Sequence, residues 1–313
     1  MSGSTPVKIV YGSEPLANGP PFDNHAYLAE VYEILQKHEV TEIDSSQIYG
    51  ESEAMLGATK AGETFTLDTK WLGGGQPGWA TKENIVNSAK ESLKKLGVEQ
   101  VDIFYIHLPD PQTPIADTLA GVQEVYQLGL FKRFGLCNYV PDDVRQIYNH
   151  CKEMDYVLPT VYQGIYSAVA RRSETALFPT LKELGILFYA YSPLAGGFLA
   201  KTPEEVARGA GRFNDAAYGG MYKQWFVKPA YLEALKEWGA IASEEGCSRV
   251  ELGYRWVVYH SPLAQTARNG MIVGARSKEQ LEQALGGIAK GRVSDKACEA
   301  IDGIWEKVQN DAP

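Results

Sequence analysis

The sequence is poor in cysteine, and its cysteines form no pattern. Four of them occur in 313 residues, with no C-x-x-C pair and no histidine at metal-ligand spacing: Cys137, Cys151, Cys247 and Cys298. Disulfide frameworks and zinc sites depend on such spacings, so neither is predicted. Each cysteine is expected to be a reduced thiol that packs as a small hydrophobic residue.

Three further features are missing. No run of eighteen or more apolar residues occurs, so no membrane-spanning helix is predicted. Residues 1–6 show neither the basic nor the apolar region of a secretory signal, and we therefore predict a cytoplasmic protein. There is also no basic block, and 39 acidic residues outnumber 30 basic ones. This charge argues against nucleic acid or an anionic membrane as a partner.

The composition is that of a folded protein, with 44% hydrophobic and 22% charged residues. The length fits two ordinary domains or one large barrel. No low-complexity or Pro-rich linker divides the chain. We therefore predict a single domain over residues 1–313.

Short apolar and β-branched runs alternate with helical patterns along the chain. One helical face carries Leu28, Val31, Tyr32 and Leu35 at the required spacing, and a later helix has Thr81 as its candidate N-cap. Eight runs are candidate strands: Val7–Val10, Thr41–Asp44, Phe65–Lys70, Val101–His107, Phe134–Cys137, Thr160–Gln163, Ile186–Tyr191 and Met271–Gly274. This rhythm predicts an α/β fold, a (β/α)8 TIM barrel.

The competing architecture is an open, doubly wound sheet, which normally carries a glycine-rich fingerprint after its first strand. No such fingerprint is present there, and the run Gly73–Gly75 follows the third strand without opening a helix, so we predict a flexible loop. Two segments exceed a minimal barrel: a long loop after strand 7, Ser192–Lys228, and an extra C-terminal helix, Val293–Val308. Loops of that length are usually functional or disordered.

Polar residues stand at the ends of three neighbouring candidate strands. Asp44, Lys70 and His107 end the second, third and fourth strands, and Tyr49 lies in the loop after Asp44. Each has an ordinary alternative: a solvated Lys or His, a packing Tyr, a turn-forming Asp. In a barrel, however, the carboxyl ends of the strands meet at one mouth. Together the four residues indicate an acid, in which a Lys cation stabilises a Tyr phenolate, an Asp holds the Lys, and a His donates or accepts nearby.

The order and spacing of Asp44, Tyr49, Lys70 and His107 resemble the catalytic tetrad of the aldo-keto reductase superfamily. Four longer stretches resemble the aflatoxin-aldehyde reductase family in particular, and they begin at Ile43, Leu158, Phe188 and Ile272. The resemblance extends from about Leu28 to Gln283. It implies the barrel fold and NADPH-dependent reduction of an aldehyde or ketone to an alcohol.

The resemblance also implies a role for each tetrad residue. Tyr49 is the general acid, which protonates the oxygen as hydride reaches the carbonyl carbon. A free Tyr has a pKa of about 10, and the Lys70 cation is expected to lower it. Asp44 orients Lys70, and His107 binds and polarises the carbonyl oxygen. Tyr49, His107 and Trp71 are the expected substrate contacts.

The cofactor residues that the resemblance implies for NADP(H) form three groups. Tyr191 stacks on the nicotinamide, whose carboxamide is held by Cys137, Asn138 and Gln163. Many members of the family have Ser at the position of Cys137, and a thiol is a weaker hydrogen-bond donor than a hydroxyl. The pyrophosphate and its surroundings involve Ser192, Leu194, Gly196, Lys201 and Arg212. The 2′-phosphate segment comprises Gly274, Arg276, Ser277, Gln280 and Gln283, and Asp44 is also counted among the cofactor contacts.

Some interpretations stay open at this point. Ser277, with Gln280 three residues later, reads equally as a helix-capping box, and the two roles are compatible. A non-catalytic, cofactor-binding subunit of the channel-associated type is the alternative function. A hydrolase or isomerase on the same barrel has no metal or carboxylate cluster to support it. The resemblance further suggests a small carbonyl substrate and a homodimer.

Overall fold

Eight parallel strands close into one barrel in a computed structural model, which describes residues 6–266 and 268–313. The strands follow one another in chain order around the barrel, and β8 pairs with β1. Their bounds are β1 Lys8–Gly12, β2 Glu42–Asp44, β3 Thr66–Trp71, β4 Val101–Ile106, β5 Phe131–Cys137, β6 Pro159–Ile165, β7 Leu187–Tyr191 and β8 Gly270–Val273. The predicted (β/α)8 barrel is confirmed.

Helices surround the barrel. They are α1 His25–Lys37, α2 Ser52–Ala58, α3 Lys82–Leu96, α4 Ile115–Gln127, α5 Pro141–Glu153, α6 Ser173–Ala176, α7 Phe178–Leu184, α8 Pro203–Ala207, α9 Met221–Phe226, α10 Pro229–Glu244, α11 Arg249–Tyr259, α12 Lys278–Ile288 and α13 Asp295–Val308. The Thr81 side chain accepts a hydrogen bond from Asn84 N (3.3 Å), so it caps α3 as predicted. The extra C-terminal helix, α13, is present and begins after its own cap, Ser294.

The barrel has two apolar layers because side chains alternate along each strand. The interior packs a small cluster of Val10, Ile103, Tyr105, Val161, Tyr189 and Ile272. The larger core lies between the strands and the surrounding helices. Interior positions nearer the mouth are polar, and Asp44, Lys70 and Gln163 are all buried there.

The predicted long connection after β7 is confirmed, since it extends from the end of β7 at Tyr191 to the start of α10 at Pro229, and it is folded. It contains α8, α9 and several 3-10 turns. Three of its aromatic rings are fully buried, and Phe198 packs against Phe226 with ring centroids 5.5 Å apart and against Phe213 at 6.0 Å. The segment therefore has an apolar core of its own, which stabilises its fold.

The run Gly73–Gly75 is a 3-10 turn, where the sequence predicts a flexible loop. Gly73 has φ of +64°, and a Cβ added there would lie 2.1 Å from the carbonyl oxygen of Leu108. The glycine is needed because the chain both turns left-handed and passes close to the end of β4.

Two findings concern the described part of the chain as a whole. No helix within it is long and apolar enough to cross a membrane. Residues 6–266 and 268–313 also contain no group of three or more His, Cys, Asp or Glu side chains that could hold a metal ion.

Candidate active site

A buried ion pair lies at the mouth of the barrel. Asp44 ends β2, and Lys70 lies on the neighbouring strand β3. The Lys70 ammonium donates to Asp44 Oδ2 at 2.5 Å and to the Ser45 carbonyl at 2.8 Å, and neither charged side chain is more than 3% exposed. A buried ion pair is stable only when its remaining donors and acceptors are also hydrogen-bonded, and the Ser45 carbonyl accepts one of the Lys70 hydrogens.

Tyr49 lies beside this pair, in a turn after β2. Its amide donates to the Ser46 carbonyl at 3.0 Å, which holds the turn. The Lys70 ammonium is 5.0 Å from the centroid of the Tyr49 ring. The His107 ring meets the Tyr49 ring edge-on, with centroids 5.8 Å apart. The structure thus brings all four predicted tetrad residues together.

His107 follows β4 and is neutral. Its backbone amide donates to the Trp71 carbonyl at 3.0 Å, and its Nδ1 lies 2.8 Å from Ser46 Oγ. Burial, with a contribution from the Lys70 charge, lowers the pKa of His107 to about 3. Above this pH the imidazole has one N–H, so it can donate a single hydrogen bond.

The Tyr49 phenol is a weaker acid in this site than in water. Burial raises the pKa of Tyr49 well above 10.0, and the Asp44 charge raises it further. The expected lowering by Lys70 is not found, because the Lys70 charge is paired with Asp44 and forms no hydrogen bond with the phenol among the described residues. Tyr49 therefore keeps its proton at neutral pH and is available as a donor.

The predicted carboxamide residues are hydrogen-bonded to the tetrad. Gln163 Nε2 donates to Asp44 Oδ1 at 2.8 Å from the opposite side of the barrel. Asn138 Nδ2 donates to the His107 carbonyl at 2.9 Å and to Cys137 Sγ at 3.2 Å, while its Oδ1 accepts from Tyr191 OH at 2.9 Å. Cys137 here accepts a hydrogen bond. These hydrogen bonds connect β6 to β2, and they connect the end of β5 to the ends of β4 and β7.

The start of the segment after β7 is tightly turned. Ser192 Oγ lies 3.1 Å from the Tyr222 hydroxyl, and Leu194 is half-buried. Gly196 has φ of +67°, and a Cβ added to it would lie 2.2 Å from the Tyr222 ring. Both the backbone conformation and the contact require glycine here.

Arg212 links this segment to the loop after β1. Its Nη2 donates to Glu14 Oε2 at 2.8 Å, and the Tyr218 hydroxyl donates to the other oxygen of the same carboxylate. The guanidinium also lies 5.1 Å from the Tyr218 ring centroid and 5.5 Å from that of Tyr222. We call the contacts of Glu14 with Arg212 and Tyr218 the Glu14 clasp.

The segment after β8 opens α12 with a capped turn. Ser277 Oγ accepts from Gln280 N at 3.3 Å, which confirms the N-cap reading of Ser277. In a capping box the Gln280 side chain would accept from the amide of Ser277. Here Gln280 Oε1 accepts from the amide of the preceding residue, Arg276, at 3.1 Å. Gly274 is exposed, and so is Gln283 on α12.

Two cationic side chains converge at Gly211. A Cβ built on this glycine would lie 3.5 Å from Lys201 Cε and 3.6 Å from Arg276 Nη2. Neither side chain forms an ion pair with a carboxylate of residues 6–266 or 268–313. The arrangement leaves an exposed guanidinium and an ammonium near one point, which is suited to a phosphate.

Trp71 is not brought to the site. Its side chain is fully buried in the layer between barrel and helices, because it follows the inward-facing Lys70 and side chains alternate along the strand. Conversely, sequence reasoning missed two residues of the site: Ser46, which contacts His107, and Ser45, whose carbonyl binds Lys70. Their position directly after Asp44 at a strand end was the available signal.

Comparison with known proteins finds one family over most of the chain. The profile of the Aldo/keto reductase family matches residues 8–306. An oxidoreductase named sirO, from Leptosphaeria maculans, is 37% identical over 91% of this chain and 87% of its own length. Aflatoxin B1 aldehyde reductase member 2 from Homo sapiens is 34% identical over 100% of this chain and 91% of its own. The same reductase from Rattus norvegicus is 35% identical over 94% and 84%.

Proposed function

Because the chain belongs to the aldo/keto reductase family, and is therefore an oxidoreductase, we propose that it reduces an aldehyde or ketone with NADPH and with Tyr49 as the general acid. The observation that carries this proposal is the buried Asp44–Lys70 pair beside a protonated Tyr49 and a neutral His107. The channel-subunit alternative is not favoured, since the relatives compared above are named as an oxidoreductase and as aldehyde reductases.

The residues at the mouth suit a nicotinamide cofactor, and the family generally uses NADP(H). Arg276 would hold the 2′-phosphate, and Lys201 would join it there, because both cations converge at Gly211 without a carboxylate partner in the described chain. The resemblance had assigned Lys201 to the pyrophosphate instead. Asn138 and Gln163 would orient the nicotinamide amide, although each already donates to a group of the tetrad. The cofactor, when bound, supplies the hydride for the carbonyl carbon.

The chain's own groups manage the charge that develops on oxygen. His107, neutral and with one ring N–H, donates to the carbonyl oxygen. Tyr49 transfers its proton as negative charge grows there, which leaves a phenolate. Lys70 lies near enough to stabilise that phenolate once the phenol has lost its proton. Asp44, held by Gln163, keeps Lys70 in position.

The test is Tyr49→Phe, which removes the hydroxyl and little volume. We expect NADPH binding, measured by fluorescence quenching, to persist while reduction of a simple aromatic aldehyde falls by roughly a hundredfold or more. Tyr126→Phe is the matched control, since Tyr126 is exposed on α4 and belongs to no part of the site. Near-normal turnover by a folded Tyr49→Phe variant would refute the assignment.

The comparisons leave four expectations as proposals. These are a single domain over residues 1–313, a cytoplasmic location, a homodimer, and a small carbonyl compound as the substrate, with neither nucleic acid nor a membrane as a partner. The names of the relatives favour an aldehyde as that substrate.

A further inference from the structure

The Ser46 hydroxyl is placed among the tetrad groups. Ser46 is fully buried, two residues after Asp44. Its Oγ lies 2.8 Å from His107 Nδ1, 3.4 Å from the amide of Ile48 and 3.5 Å from the carbonyl of Lys70. The hydrogen of a buried hydroxyl points toward whichever neighbouring group can accept a hydrogen bond.

The neighbours of Ser46 assign the direction of each hydrogen bond. The Ile48 amide is a donor only, so Ser46 Oγ accepts from it. The Ser46 hydrogen then has two possible acceptors, His107 Nδ1 at 2.8 Å and the Lys70 carbonyl at 3.5 Å. The carbonyl is at the limit of hydrogen-bond distance, which makes it the weaker of the two acceptors. The short contact to Nδ1 is therefore the one that the Ser46 hydroxyl donates.

This direction determines the tautomer of His107. A neutral imidazole has one N–H, and a nitrogen that accepts from Ser46 cannot carry it. The proton is thus on Nε2, which has no hydrogen-bond partner in residues 6–266 or 268–313 and is not among the buried unpartnered atoms. In the other tautomer Nε2 would be a bare lone pair, which repels a carbonyl oxygen.

We propose that Ser46 is a positioning residue that holds His107 in the Nε2–H tautomer, the form that can donate to the carbonyl oxygen of the substrate. The proposal rests on the proposed function for its catalytic consequence, since His107 acts there as the donor. The tautomer itself is a property of the folded chain and can be measured without turnover.

The first test is the tautomer, measured at neutral pH by correlating the ring nitrogens with the ring protons in 15N-labelled protein. The chain has five histidines, and the His107→Gln variant identifies the His107 signals by their loss. We expect the wild type to show a protonated Nε2 and an unprotonated Nδ1. Ser46→Ala should shift His107 toward a mixture of tautomers, and Ser46→Thr, which keeps the hydroxyl, should restore the single form.

The second test is turnover of the same variants. Ser46→Ala should lower kcat by about two- to fivefold, in proportion to the lost population of the active tautomer. This is far less than the roughly hundredfold or more for removing an oxyanion donor outright. KM should change little. The control is Ser92→Ala, which removes another buried hydroxyl that contacts Gln47 and not His107.

The outcomes separate the two proposals. An unchanged His107 tautomer in Ser46→Ala would overturn the role of Ser46, even if Tyr49→Phe were inactive as expected. An Nδ1–H form in the wild type would overturn it directly. If Tyr49→Phe kept its activity, the proposed function would fail, whatever the nitrogen shifts showed.

Discussion

Replacing Arg276 by alanine is expected to weaken NADPH binding about tenfold and to leave NADH binding nearly unchanged. The two cofactors differ by the 2′-phosphate, and Arg276 is one of two cations that converge at Gly211. A hydrogen bond to a charged group contributes about 1.5–3 kcal/mol. Because Arg276 is exposed, solvent screening reduces this figure, and we take its lower end, which is about tenfold in Kd.

The assay is titration of each cofactor into wild-type and variant protein, followed by fluorescence quenching. Arg145→Ala is the control, since it removes another guanidinium, which is bonded to Glu183 on the outside of the barrel. The NADPH effect should shrink at high salt, because the exposed charge is screened. If Arg276→Ala weakened both cofactors equally, Arg276 would support the loop and not bind the phosphate.

Two further predictions concern the buried pair and the titrating groups. Lys70→Met should abolish most of the reductase activity and lower the free energy of unfolding by about 3–5 kcal/mol, because the buried Asp44 carboxylate is left unpaired. Thermal unfolding should show that adding Asp44→Asn to this variant recovers stability but not activity. An active Lys70→Met variant would contradict the role of Lys70. The value of kcat/KM for reduction should not change between about pH 5 and pH 9, since His107 is neutral above about pH 3 and Tyr49 stays protonated beyond pH 10.0. A decrease of kcat/KM as the pH rises through about 6.5 would show that a protonated His107 is required.

The sequence was sufficient for the barrel and for the tetrad because both depend on local pattern. Polar residues at the ends of successive strands, such as Asp44 and Lys70, can only meet at one mouth. Alternation along the strand would also have excluded Trp71 from the mouth, since its neighbour Lys70 points inward.

Other features depend on tertiary contacts that no sequence pattern contains. The raised pKa of Tyr49 results from burial and from the Asp44 charge, and both depend on how the chain folds around the phenol. The second partner of Asp44, Gln163, lies 119 residues away along the chain. The folding of the segment after β7 likewise depends on its aromatic rings meeting one another.

The Glu14 clasp has a topological consequence. Because β8 lies between β7 and β1, joining the segment after β7 to the loop after β1 closes a non-covalent ring across the end of β8. A partly exposed ion pair and one hydrogen bond together hold this ring with about 2 kcal/mol. An open form would then be present in a few per cent of molecules, within the range of ordinary minor states. Any long ligand that lay across the end of β8 would be enclosed by the closed ring, and opening the ring would release it without unfolding the barrel.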